Sequence, residues 1–270
     1  MKDKLNNLSG KDWLQYSFSI WRDIKRGPLD NSNSHPASFP VALSQRVIKI
    51  FTKPGNWVLD PFMGSGSTAV ACIIEQRNCV GIELSKEFYE ESKNRMAILG
   101  LETLSNKDIA CNLYNGDSLE IEHIVAPASI DLCVTSPPYW DVLNRKRSAD
   151  KKPMRNYSDS SHDLGNIFEY EVFLEKIRQV FSKVWLTLKY GGFCVVVVMD
   201  IRKGSYFYPL HSDISSLMKG IGYEIKDIII WDRQKEYNSM RPLGFPYSFV
   251  VNKVHEYLLI FKKVDSNARS

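Results

Sequence analysis

Two short segments place polar side chains directly after apolar runs that are typical of β-strands. Residues 60–68 (DPFMGSGST) begin with the last residue of the run WVLD, and residues 135–140 (TSPPYW) follow the run IDLCV. An acid before a glycine-rich turn is typical of a nucleotide-cofactor site, because glycine lets the backbone turn beneath a ligand and the next helix offers unpaired N–H groups. The second segment predicts a rigid pocket with polar and aromatic groups at the same sheet edge.

The glycine-rich turn differs from the two common phosphate-binding motifs. It has no lysine for a P-loop and no third glycine for the dinucleotide fingerprint. Asp60 would repel a pyrophosphate but attract a ligand with an ammonium group. Glu83, at the end of the next strand, is placed to accept hydrogen bonds from ribose hydroxyls, and Asp117 could accept a hydrogen bond from an adenine amino group. The three acids and the turn together fit S-adenosylmethionine, although each acid alone could equally be a helix N-cap.

Residues 135–140 could bind a planar amine. Pro137 and Pro138 fix the backbone, so Ser136 and the neighbouring carbonyls keep one orientation. Ser136 Oγ and a carbonyl can accept both hydrogens of an exocyclic amine, and Tyr139 can stack on a base that is flipped out or single-stranded. The alternative is a turn that ends a strand. No cysteine is placed for covalent attack on a base, which predicts direct methyl transfer.

These patterns define two sets of candidate site residues, and no metal ligand is predicted. The predicted catalytic residues are Ser136, Pro137, Pro138, Tyr139 and Trp140. The predicted cofactor-binding residues are His35, Asp60, Pro61, Phe62, Gly64, Ser65, Gly66, Thr68, Glu83, Leu84, Asp117, Ser118 and Thr135. For His35, a role in a turn is an equal alternative.

Composition limits the possible partners only weakly. The 270 residues carry a net charge of +4, from 35 basic and 31 acidic side chains, which permits nucleic acid without requiring it. The five cysteines form no CxxC pair and lie mostly in apolar runs, so we expect buried thiols in a reducing compartment. Neither a signal peptide nor an apolar run long enough to cross a bilayer is present, so we expect a cytoplasmic protein without a membrane partner.

Strand and helix patterns alternate along the chain and predict an α/β fold. We expect a single domain over residues 1–270, with an ordered N-terminal segment at 1–34 and a mostly parallel seven-stranded sheet between helices on both faces. The last connection is too short for a helical crossover, so the last strand should be reversed. Aperiodic polar loops at 141–166 and 232–252 are candidates for target recognition, as is the stretch 201–213.

The chain resembles the S-adenosylmethionine-dependent DNA amino-methyltransferases of the N4-cytosine type. Residues 60–68 resemble the family's cofactor motif, 135–140 its catalytic motif, HPASFPVAL (35–43) its segment beside the cofactor's methionine end, and VHEYLLIFKK (254–263) its closing strand. Adenine-N6 members more often carry Asp-Pro-Pro-Tyr, so Ser136 favours cytosine. The chain departs from many relatives with Ser-Pro-Pro-Tyr in that the cofactor motif precedes the catalytic motif, and in having Phe39 where many have lysine.

The resemblance implies a Rossmann-like methyltransferase fold and methylation of cytosine N4 in a flipped-out base. It implies double-stranded DNA with a short recognition site as the partner, a cognate restriction endonuclease encoded nearby, and a monomer or homodimer acting at the nucleoid of a prokaryotic cytoplasm. Methylation of adenine N6 or of an RNA base is the alternative, and a silent nucleic-acid-binding subunit is a third possibility.

Overall fold

The secondary structure alternates between strands and helices through the middle of the chain. The computed structural model describes residues 4–30, 38–102, 109–142, 162–236 and 242–265. Within these ranges the helices are α1 (Gly10–Tyr16), α2 (Val41–Phe51), α3 (Ser67–Ile74), α4 (Lys86–Glu102), α5 (Ile121–Ile124), α6 (Tyr170–Thr187) and α7 (Leu210–Ile221). The strands are β1 (Ile20–Trp21), β2 (Trp57–Asp60), β3 (Asn78–Glu83), β4 (Cys111–Asn115), β5 (Ile130–Thr135), β6 (Leu188–Val198), β7 (Ile201–Lys203), β8 (Tyr206–Tyr208), β9 (Tyr223–Asp232) and β10 (His255–Lys263).

The main sheet has eight strands in the order β1-β9-β10-β6-β5-β2-β3-β4. Strands β2 to β6 pair in parallel, whereas β10 runs antiparallel to both β6 and β9. The prediction of a mostly parallel sheet with a reversed last strand is therefore confirmed. The predicted count of seven is too low by one, because β1 pairs with β9 at the sheet edge. A two-residue strand is too short to show the alternation that identifies a strand in sequence.

Helices cover both faces of this sheet, and β6 shows how the two cores are divided. Its residues Cys194, Val196 and Val198 belong to a cluster that contains side chains of α6 and α7. Val195 and Val197 point the other way, into a cluster that contains side chains of α2 and α3. All five are fully buried, as expected of a strand covered on both faces. No helix within the described ranges is long and apolar enough to cross a membrane.

The cysteines differ in part from the expectation of five free thiols. Cys79 and Cys111 are partners in the register of the parallel strands β3 and β4, with Cα atoms 4.8 Å apart, and they form a disulfide. Their directly opposed positions bring the two sulfurs together, which cannot be read from a sequence separation of 32 residues. Cys72, Cys133 and Cys194 are buried free thiols, as predicted.

The glycine-rich turn between β2 and α3 is held against α4. Gly66 caps α3 at a φ of 84°, a left-handed conformation that side chains disfavour. A Cβ atom on Gly66 would lie only 2.8 Å from Ser92 Cβ of α4. The guanidinium of Arg95, also on α4, donates to Ser65 O at 2.6 Å. The turn therefore requires glycine at position 66 for both its backbone angle and its close helix contact.

We expect Gly66→Ala to lower the free energy of unfolding by about 2–4 kcal/mol, because a strained φ and an overpacked contact add together. Gly55 is a matched control, since it also has a positive φ of 81°, but a Cβ atom added there would meet no other atom within 4 Å. Gly55→Ala should cost only about 1 kcal/mol. Urea denaturation measures both changes.

Adding Ser92→Gly to Gly66→Ala removes the contacting Cβ atom and should recover part of the loss, measured relative to Ser92→Gly alone. An equal decrease in the free energy of unfolding for Gly55→Ala and Gly66→Ala would show that contact with α4 does not constrain the turn.

Candidate active site

A cleft open to solvent lies at the edge of the sheet where β2, β3 and β5 end. The empty space within it, counted together with the open solvent at its mouth, is about 570 Å³. In sheets of parallel strands, ligands bind outside these carboxyl ends. The cleft is lined by Pro61, Phe62, Gly64, Ile82, Glu83, Leu84, Ser85, Asp117, Ser118, Ser136, Pro138, His162, Asp163 and Leu164.

The cleft brings together nine of the predicted site residues from both motifs. These are Pro61, Phe62, Gly64, Glu83, Leu84, Asp117, Ser118, Ser136 and Pro138. The remaining predicted residues that the structure describes are not among its lining residues: Asp60, Ser65, Gly66, Thr68, Thr135, Pro137, Tyr139 and Trp140. His35 lies outside the described residues.

Five lining residues are absent from the predicted set: Ile82, Ser85, His162, Asp163 and Leu164. Ile82 and Ser85 lie one and two positions from Glu83, so their proximity to a predicted acid was the available signal. Residues 162–164 belong to an aperiodic loop. Nothing in the local pattern shows that this loop returns to the cleft.

Asp60 joins the two motifs from beneath the cleft. Its Oδ1 accepts hydrogen bonds from Thr135 Oγ1 at 2.6 Å and from the N–H of Phe62 at 3.1 Å, and its Oδ2 accepts from Thr68 Oγ1 at 2.6 Å. The side chain is buried, and burial raises the pKa of Asp60 to about 6 even though these hydrogen bonds favour the charged form. Contact between Asp60 and a cofactor ammonium group stays a prediction.

Glu83 lines the cleft, and its carboxylate binds backbone N–H groups of two neighbouring turns. Its Oε2 accepts from the N–H of Gly64 and its Oε1 from the N–H of Ser85, each at 2.7 Å. Each carboxylate oxygen can accept more than one hydrogen bond, so the group can still accept hydroxyls from a ligand. Burial raises the pKa of Glu83 to about 7, and the two backbone hydrogen bonds oppose this shift.

Asp117 is held at the end of β4 by two contacts. Its Oδ1 accepts from the N–H of Leu119 at 2.8 Å, which caps the short turn that follows, and its Oδ2 lies 2.9 Å from His162 Nδ1. Ser118 Oγ donates to the carbonyl of Pro61 and ties this turn to the first motif. A ligand amino group that approached Asp117 Oδ2 would therefore meet His162 at the same oxygen.

The predicted catalytic motif turns two of its polar groups towards each other. Ser136 lines the cleft, and its Oγ donates to Tyr139 Oη at 3.0 Å. Tyr139 Oη in turn donates to Glu256 Oε2 of β10 at 2.8 Å. Glu256 is buried and forms an ion pair with Arg233. The hydroxyl that is predicted to bind an amine thus belongs to a chain of hydrogen bonds that ends at a buried charge pair.

Trp140, one of the predicted catalytic residues, is not among the residues that line the cleft. It adopts a positive φ of 52° and its ring is only 3% exposed, so the side chain packs into the core beneath the cleft. Its Nε1 donates to the carbonyl of Ile167 at 2.9 Å, and its ring lies 5.0 Å from the rings of Tyr170 and Tyr208. The turn after Tyr139 directs Trp140 inwards, where it anchors the motif by packing.

Comparison with known proteins identifies the family. The N6_N4_Mtase family model, described as DNA methylase, matches residues 2–94 and 130–269. The chain therefore belongs to this DNA methylase family.

Two of the relatives that the chain matches are named type II methyltransferases. The chain is 40% identical over 92 residues to the type II methyltransferase M.BglI of Bacillus subtilis, which is 34% of this chain and 26% of that protein. It is 46% identical over 78 residues to the type II methyltransferase M.Cfr9I of Citrobacter freundii, which is 29% of this chain and 25% of that protein. The matched stretches thus span about a quarter of the length of each relative.

Solved structures support the fold. A SAM-dependent methyltransferase from Methanosarcina mazei superimposes with a TM-score of 0.51 over 81% of this chain and 97% of that protein, at 11% identity. The predicted Rossmann-like methyltransferase fold is confirmed. Membership of this DNA methylase family supports the predicted cofactor, S-adenosylmethionine.

The lining residues suit this cofactor. The half-buried Glu83 carboxylate presents acceptors for ribose hydroxyls, and the apolar side chains of Ile82, Leu84 and Leu164 form the kind of wall against which an adenine ring can pack. Gly64 of the turn lines the cleft and has no side chain that would extend into it. These residues would hold the adenosine part of the molecule next to Ser136.

We expect the affinity for S-adenosylmethionine to fall as the pH is lowered from about 8 to about 6, because burial raises the pKa of Glu83 to about 7. Ribose hydroxyls donate to the charged carboxylate, so binding favours the ionised form and weakens when the group is protonated. Isothermal titration calorimetry over this range measures the effect.

Glu83→Gln should bind the cofactor more weakly at the upper end of this range and should lose the transition near pH 7. Asp60→Asn should keep the transition near pH 7, because that transition belongs to Glu83, whereas Asp60 titrates with a pKa of about 6. The same pH profile in Glu83→Gln as in the unaltered protein would contradict the assignment of Glu83.

Proposed function

We propose that the protein transfers a methyl group from S-adenosylmethionine to the N4 amine of a cytosine that is flipped out of a short DNA site. One observation carries this proposal: Ser136 and Pro138 line the same cleft as Glu83 and Asp117. An acceptor for an amine and the predicted cofactor-binding acids therefore share one cavity. Methyl transfer requires this proximity, because the two reactants must be held in line.

The chain's own residues would orient the amine. When bound, S-adenosylmethionine supplies an electrophilic methyl group on a sulfonium. Ser136 Oγ and a carbonyl of residues 136–137 accept the two hydrogens of the amine, which directs the nitrogen lone pair towards the methyl group. Pro137 is buried and fixes these acceptors in place. The residues thus align the nucleophile, and no covalent bond to the protein is needed.

A surface next to the cleft supports nucleic acid as the partner. The connection between β9 and β10 begins and ends at the cleft's edge of the sheet, and its Tyr247 and Phe249 are each 96% exposed. Lys253, in the same connection, lies 4.6 Å from the ring centroid of Phe207 at the β7–β8 hairpin. The exposed rings of Tyr247 and Phe249 suit base stacking, and the charge of Lys253 suits a phosphate contact.

Three predicted target-reading segments stay proposals. The stretch 201–213 contains the β7–β8 hairpin and the start of α7. Residues 143–161 of the segment 141–166 and residues 237–241 of the segment 232–252 lie outside the described residues. Tyr237 and Arg241, residue types that suit base stacking and phosphate contacts, belong to the second of these gaps.

The choice of cytosine and the biological setting are also part of the proposal. Ser136, in place of an acid, supports cytosine N4 over adenine N6. The relatives named type II methyltransferases support a role in restriction–modification, with an endonuclease encoded nearby. A monomer or homodimer in a prokaryotic cytoplasm, acting on the nucleoid, completes the proposal.

Incubation with methyl-labelled S-adenosylmethionine and unmethylated duplex DNA, followed by digestion to nucleosides, should place the label in N4-methylcytosine. Ser136→Ala should lower kcat by about a hundredfold, because it removes an acceptor aimed at the reacting amine. Its affinity for S-adenosylmethionine should change by less than about twofold, since Ser136 is not assigned to the cofactor. Ser129→Ala, just before the other end of β5, is the matched control.

N6-methyladenine as the sole product would refute the choice of cytosine. Label in RNA but not in DNA would identify the alternative substrate. Binding of S-adenosylmethionine without any transfer would favour a silent nucleic-acid-binding subunit.

Removing the exposed rings should weaken DNA binding selectively. We expect Tyr247→Ala with Phe249→Ala to raise the Kd for DNA at least about tenfold, because each stacked base contributes about 1–3 kcal/mol. Cofactor affinity should stay unchanged. Trp13→Ala with Leu14→Ala, which are 52% and 64% exposed on α1, is the control in fluorescence anisotropy. Equal DNA affinity for the two double variants would exclude this surface.

A further inference from the structure

Glu256 is a buried carboxylate next to the catalytic motif, and no role in the proposed reaction has been assigned to it. It is the second residue of β10 and is only 6% exposed. Its Oε2 accepts from Tyr139 Oη at 2.8 Å, and its Oε1 is paired with the guanidinium of Arg233. The reversed direction of β10 brings its first residues to the edge where β5 ends, so Glu256 can reach the motif.

The chain of hydrogen bonds has a defined direction. An arginine only donates, and a carboxylate paired with it only accepts, so Tyr139 must donate its proton to Glu256. The Tyr139 oxygen then accepts the proton of Ser136 Oγ at 3.0 Å. The carbonyl of Val197 also lies 3.4 Å from Tyr139 Oη, but the shorter bond to a charged group is the stronger one.

We propose that Glu256 is a positioning residue that determines which way Ser136 presents its hydroxyl group. Because the Ser136 proton is committed to Tyr139, the oxygen turns its lone pairs to the cleft and can only accept there. The pocket then admits an exocyclic amine, which donates, and rejects a carbonyl at the same position, which cannot. The charge of Glu256 also favours the positive charge that develops on the methylated nitrogen. This inference rests on the proposed amino methylation.

Arg233 also binds a second acid, Glu236, which makes it possible to distinguish a positioning role of Glu256 from a structural one. Glu236 accepts from Arg233 Nη2 at 2.8 Å and from Nε at 3.1 Å, but it does not contact Tyr139 in any described hydrogen bond. Arg233 therefore keeps a charged partner when Glu256 is neutralised. Glu236→Gln is accordingly a matched control, since it neutralises the other acid on the same guanidinium.

We expect Glu256→Gln to lower kcat by about thirtyfold to a hundredfold, while KM for DNA and affinity for S-adenosylmethionine change by less than about twofold. In this variant the side-chain oxygen of the glutamine faces Arg233, so the amide N–H₂ group donates to Tyr139. The direction of the hydrogen bonds from residue 256 through Tyr139 to Ser136 is then reversed. Glu256→Asp keeps the charge and should recover part of the rate. At saturating DNA, Glu236→Gln should keep kcat within about twofold of the unaltered protein, and kcat alone is compared because Glu236 lies in the segment 232–252 that is proposed to read the target.

A double-mutant cycle tests whether the effect passes through Tyr139. Tyr139→Phe removes the hydroxyl that links Ser136 to Glu256. In that background Glu256→Gln should lower kcat little further, so the double variant should be about as slow as Tyr139→Phe alone. If the factors by which the two substitutions lower kcat multiply in the double variant, Glu256 acts independently of Tyr139 and the proposal is overturned. A full rate in Glu256→Gln, or an equal loss in Glu236→Gln, would also overturn it.

A spectroscopic measurement separates this proposal from the proposed function. In protein labelled with 3-fluorotyrosine, the ¹⁹F resonance of Tyr139 is the one that Tyr139→Phe removes. It should move in Glu256→Gln and stay in place in Glu236→Gln, whether or not the protein methylates DNA. An unmoved resonance refutes the contact itself. If the resonance moves but the unaltered protein methylates no amine, the proposed function fails and the amine-orienting role fails with it, while the contact stands.

Discussion

The arrangement of the site depends on one buried carboxylate. Asp60 lies at the end of β2 and binds the hydroxyls of Thr68 and Thr135, which belong to motifs on different elements. Thr135 is 75 residues away in sequence, yet its hydroxyl is 2.6 Å from the carboxylate. Breaking a buried hydrogen bond leaves a polar group unsatisfied at a cost of about 1–3 kcal/mol. The relative position of the glycine turn and the catalytic motif is therefore energetically constrained.

The sheet provides the frame in which this link can form. The middle strands β5 and β6 are covered on both faces, and their alternating side chains fill two separate cores. A shift of either strand by one residue would exchange the two sets of side chains, so the register is strongly determined. The strand ends are fixed as a consequence, and with them the positions of Asp60, Glu83 and Ser136.

Sequence patterns could predict the elements with strong periodicity but not the contacts that depend on the tertiary fold. The buried valine run of β6 and the two motifs after β2 and β5 were recognisable, because each carries its signal locally. The inward direction of Trp140 follows from a positive φ that no local pattern reveals. Glu256 and His162 lie 117 and 45 residues from their partners Tyr139 and Asp117, so only the fold brings them to the site.

The interior position of β10 has a consequence for the time at which the site can form. This strand lies between β6 and β9, although it follows every other described strand in the chain. During synthesis the gap between those two strands stays open until residues 255–263 have left the ribosome, and Tyr139 lacks its carboxylate partner until then. A nascent chain therefore carries both motifs long before it has an assembled site. Closure of the sheet and completion of the candidate active site are one folding event.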